Sequence, residues 1–88
     1  MPLNYKTIEA AVETKAMGQN IAGISAKVKG WMFILVDSYN LSINAGRMFH
    51  ATMGQQHLET ELGDATAARE AEKILLWTKE ACEAALNP

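Results

Sequence analysis

The sequence predicts an all-α fold: a short N-terminal helix, a long central helix and a C-terminal helix packed as a helical hairpin or bundle, completed by oligomerisation. Three observations carry that reading. Apolar residues recur at three- and four-residue spacing through the middle of the chain, which is the period of a helix rather than the alternation of a strand. Helix-ending and helix-starting residues punctuate the chain at Gly18 to Asn20 and at Gly63-Asp64. The central segment also carries a second apolar row that one chain of 88 residues has no spare element to cover.

The first helix is expected over about residues 4–17. Residues 1–3 read as an untied end. Asn4 is the N-cap, its side chain accepting from a backbone N–H of the first turn. Ile8, Ala11, Val12 and Ala16 form one narrow stripe, mostly alanine, suited to close packing. Gly18 supplies the left-handed position that closes the helix.

The second helix is expected over about residues 20–53, with Asn20 as its N-cap. At about 100° per residue, Ile21, Ile24, Val28, Trp31, Met32, Leu35, Tyr39, Ile43, Gly46, Phe49 and Met53 fall in one band about 120° wide. The apolar run from Trp31 to Val36 also admits a buried strand after Gly30; the period continuing on both sides favours helix. A helix of that span is roughly 50 Å long. Ile34, Leu41 and Met48, spaced by seven, make the second row, the pattern of a helix facing a partner helix. Gly54 ends this helix, or it continues through Gln55 to Leu62.

The third helix is expected over about residues 64–86. Ala67, Ala68, Ala71, Ile74, Leu75, Thr78, Ala81, Cys82, Ala85 and Leu86 form its apolar face, and Arg69–Glu72, Glu70–Lys73 and Lys79–Glu83 are helix-surface pairs. Leu76 and Trp77 fall outside that face, beside Lys73 and Glu80. The whole chain, residues 1–88, reads as a single helical domain.

Composition narrows the function. A net charge of -2, with the eight basic residues scattered, argues against nucleic acid as a partner. Lys27 and Lys29 beside Trp31 are too few to change that. A membrane span needs about 20 apolar residues and the longest run here ends at Asp37, so no membrane association is expected. The single cysteine, Cys82, cannot form an internal disulfide, and Glu9 and Glu13 do not suit a secretory signal; both point to the cytoplasm. Cys82 lies on an apolar face and reads as a small hydrophobe. Ser25, Ser38 and Ser42 lack a nucleophile motif, and the glycines form no phosphate-cradling loop, so neither an enzyme nor a cofactor is expected. His50 and His57, seven apart with Glu61 beyond them, lack the spacing of a helix-borne zinc site, and no metal is expected.

Two sets of residues remain as candidates. Ile34, Leu41 and Met48 would form a self-interface, and Leu76 and Trp77 on a charged face would anchor another protein. Asp37, Asn40, Asn44 and Arg47 form a polar row beside Tyr39 and Phe33. Asparagines are poor helix formers, so Asn40, Asn44 and Arg47, with Tyr39, are kept as binders of a small anionic ligand such as a nucleotide between subunits. The leading expectation is a non-enzymatic interaction protein, a homo-oligomer and most simply a dimer, that binds another protein. Small acidic inhibitors, adaptors and assembly factors of bacteria or phages have this character.

Overall fold

The computed structural model describes residues 3–41 and 54–87, and over these residues every regular element is a helix. In order they are α1 (Tyr5–Gly18), α2 (Ala26–Asn40), α3 (Gln55–Leu62) and α4 (Ala65–Leu86). No strand occurs among the described residues: Trp31 to Val36 is helical, and α2 runs through Gly30 without a break.

Helix α1 starts where its cap is, with Asn4 Oδ1 accepting from the Thr7 N–H at 3.2 Å. Its end differs from expectation. Gly18 is the last helical residue, and Asn20, with φ of 60°, is the one that turns left-handed. The Ile21 N–H donates to the Ala16 carbonyl at 2.9 Å and the Asn20 N–H to Met17 at 3.1 Å. Ala16 and Ile21 are both buried. That bond pair, with an apolar contact across it, is a Schellman closure. An N-cap needs extended backbone, so Asn20 cannot also start the next helix. The helix expected from residue 20 therefore begins six residues later, at Ala26, with Ser25 Oγ accepting from the Val28 N–H at 3.3 Å.

The expected continuous helix over 20–53 is corrected at its other end too. Helix α2 stops at Asn40, capped by Leu41; Asn44, Arg47, Met48 and His50 lie outside the described residues. Residues 55–62 are a separate element, entered from extended Gly54 and closed by Gly63, whose φ of 71° is the left-handed stop read from the sequence. Asp64 then caps α4, its Oδ2 accepting from the Ala67 N–H at 2.7 Å.

The long element at the centre is α4, not α2. It packs against α1, α2 and α3, and its 22 residues give it the length to do so. Ala68, Ala71, Ile74, Leu75, Thr78 and Cys82 form its buried face. Small side chains along that face let three helices come close, and the Thr78 hydroxyl is satisfied by the Ile74 carbonyl at 2.8 Å. Ile8, Val12 and Ala16 come in from α1, Val28, Met32, Leu35 and Val36 from α2, and Leu58 from α3.

Candidate functional site

Each helix turns its apolar stripe to the core, and α2 has apolar residues left over. With Val28, Met32 and Leu35 inward, the residues about half a turn away face outward. Phe33 is 54% exposed, Ile34 48% and Leu41 61%. Gly30 lies on the same outward face, and a Cβ placed there would meet nothing within 4 Å. Phe33 is held at the edge of this face by Tyr5, ring to ring at 5.5 Å and 64°. The same flank of α2 is covered by the segment before α1, where Phe33 and Asn40 line one cleft with Leu3 and Tyr5: Leu3 is buried, and Asn40 grips its backbone at both groups. Asn40 Nδ2 donates to the Leu3 carbonyl and Oδ1 accepts from the Leu3 N–H, each at 3.1 Å. Residue 3, expected to be part of an untied end, is therefore fixed.

Trp77 and Leu76 separate in space. Trp77 is half-buried and lines a cleft of about 270 Å³ between α1 and α4, floored by Ala11, Val12 and Ala81. The Lys15 ammonium sits 5.8 Å from the Trp77 ring centroid, within the range of a cation–π contact. Glu80 stands at the rim. So α1 shelters Trp77. Leu76, 41% exposed, lies on the other flank of α4 and does not line this cleft.

Tyr39 of α2 and Glu83 and Lys79 of α4 engage one another within the chain. The Tyr39 hydroxyl donates to Glu83 Oε2 at 2.9 Å, and Lys79 Nζ pairs with the same carboxylate at 3.3 Å. That hydrogen bond from Tyr39, with Lys79 beside it, holds the Glu83 carboxyl below the usual carboxylate range. Burial, and then the Glu83 charge, pushes the Tyr39 phenol well above its ordinary value. A similar pair forms at α1, where the Tyr5 hydroxyl donates to the Lys29 carbonyl at 3.3 Å and the nearby Glu9 carboxylate competes for the same proton. The Tyr5 hydroxyl beside it, and then the charges of Lys29 and Lys6, hold the Glu9 carboxyl below its ordinary value. Burial pushes the Cys82 thiol up to about 11, so it stays a neutral, buried group.

Of the residues expected to bind an anionic ligand, Tyr39 and Asn40 are thus described and point to intramolecular partners, Glu83 and Leu3, while Asn44 and Arg47 lie outside the described residues. His57 is exposed, and no group of three metal-ligating side chains gathers among the described residues. Among those residues, too, no helix is long and apolar enough to cross a membrane. Sequence reasoning missed Leu3, Val36 and Leu58 as core residues and Asn40 as a clamp. The one available signal was the asparagine itself, which only a side-chain bond to backbone makes worthwhile inside a helix.

No protein family, curated protein or solved structure shows a significant match to this chain.

Proposed function

We propose that this chain is a non-enzymatic interaction protein of the cytoplasm: a small helical homo-oligomer that binds another protein, as an inhibitor, adaptor or assembly factor does. One observation carries the reading. After four helices have buried their stripes, Phe33, Ile34 and Leu41 are still about half exposed on one side of α2. Contiguous apolar surface on a small protein marks an interaction site more often than chance exposure. Trp77 in its cleft and Leu76 on the other flank of α4 are two separate contacts offered to the second protein, Trp being enriched among interface anchors. The reading of a small anionic ligand held between subunits has less support, because Tyr39 and Asn40 already spend their polar groups on Glu83 and Leu3.

Light scattering over a concentration series tests the self-association. The expected result is a mass of at least two chains that falls to one chain in the variant Ile34→Asp with Leu41→Asp. A single-chain mass at every concentration would defeat it.

A further inference from the structure

We infer that two copies of this chain pair through the outward face of α2 as antiparallel helices, with a two-fold axis at the level of Met32. The inference rests on the self-association proposed above and gives it a geometry. It starts from Gly30. Glycine in a helix interior is the least favourable ordinary residue, and nothing among the described residues asks for it, because a Cβ there would meet open space. A glycine on an exposed helical face, one turn from an exposed Ile34, is the arrangement that lets a second helix come close.

The charges say which second helix. By helical position Lys27 and Asp37 flank Gly30 and Ile34, Lys27 at the edge towards Glu61 and Asp37 at the edge towards the cleft it lines with Leu3 and Tyr5, and they are placed symmetrically about residue 32, five positions before it and five after. At 1.5 Å per residue each stands about 7.5 Å from that level along the axis. Turning one copy by the two-fold sets Lys27 of each against Asp37 of the other, and Gly30 of each against Ile34 of the other. The face is complementary to itself only in the antiparallel sense; a parallel pair would set lysine against lysine and isoleucine against isoleucine. Lys27 has the capacity for this bond. Its ammonium carries three donors, of which two go to Glu61, at 3.0 Å to the carbonyl and 3.2 Å to Oε2. The Asp37 carboxylate has no hydrogen bond or ion pair among the described residues, and Phe33 and Leu41 extend the apolar contact on either side. A single patch that meets its own copy is what a closed two-fold dimer requires.

The test uses the full chain with cysteine introduced at one of two positions. Chains carrying Lys27→Cys are mixed with chains carrying Asp37→Cys and oxidised gently; Cys82, buried and with its thiol pushed up to about 11, does not compete. The mixture should give a covalent dimer containing one chain of each kind, and either variant alone should give little. Cross-linking of each variant with itself, or none in the mixture while light scattering still shows a dimer, would overturn the antiparallel pairing and leave self-association standing on another face. A single-chain mass throughout would remove both. As a second arm, Gly30→Leu should weaken dimerisation at least tenfold while the helical signal and thermal transition of the dilute protein stay intact. Unchanged dimerisation in that variant would also overturn the pairing.

Discussion

Asn40 shows how a residue chosen against helix propensity is explained by a distant partner. Its amide meets both backbone groups of Leu3, a segment that no helix or sheet would otherwise satisfy. Asn40→Ala should improve the helix slightly and leave two partly buried backbone groups without partners, for a net loss of about 1–2 kcal/mol in urea unfolding. Amide exchange at Leu3 should become fast in the same variant. The pair of Tyr39 and Glu83 gives a pH signature. Glu83 is held below its ordinary 4.5 in the folded chain, so the unfolded chain binds more protons on the acid side. The stability this bond gives is therefore complete above about pH 4.5 and is lost as the pH falls through the lower folded value. Tyr39→Phe should remove part of that acid dependence. At the other end, the Cys82 thiol rises from 9.0 to about 11, so its contribution is complete below pH 9 and fades towards pH 11. Cys82→Ala should flatten that limb in thermal melts between those values.

At the scale of the element, α3 is the instructive case. It has eight residues, below the length at which a helix in water holds by itself. Gly54 caps it without a side chain, and Gly63 closes it. Its one fully buried side chain is Leu58, and the ion pair from Lys27 to Glu61, at 3.2 Å with both partners about half exposed, adds little. Tertiary packing of Leu58 against the core is thus what forms α3. Leu58→Ala should destabilise the chain by about 2–5 kcal/mol and should lower helicity before the main transition, seen as a sloping baseline in circular dichroism. A single sharp transition with an unchanged baseline would mean that α3 holds by other contacts. On α4, Lys79–Glu83 closes as expected, whereas Arg69 turns to the Thr66 hydroxyl at 3.3 Å.

At the scale of the molecule, α4 acts as the spine and the other described helices lie against it, so among the described residues one side of α2 is left bare. Where Phe33, Ile34 and Leu41 are buried between copies, association binds only the folded form and raises its apparent stability with concentration. The melting temperature should therefore climb over a hundredfold range of protein concentration, and Ile34→Asp should remove the climb. A melting temperature independent of concentration would place the apolar face outside any self-interface.

The sequence by itself determined that the described elements are helical, most of the stripe that α1, α2 and α4 bury, and several of the caps. Asn4 and Asp64 accept the bonds their positions imply, and Gly63 turns left-handed as read. These properties depend on neighbours three or four residues away, so a short window carries them. Tertiary structure alone decided which helix is the spine, that Asn20 closes α1 instead of opening α2, and that Asn40 serves Leu3. Asn40 meets a residue 37 positions away and Tyr39 one 44 positions away. A helical period gives the direction of a face but not its occupant. Val36 and Leu3 are buried because a particular segment crosses a particular flank of α2, while Ile34, equally apolar, is exposed because none of the described segments does.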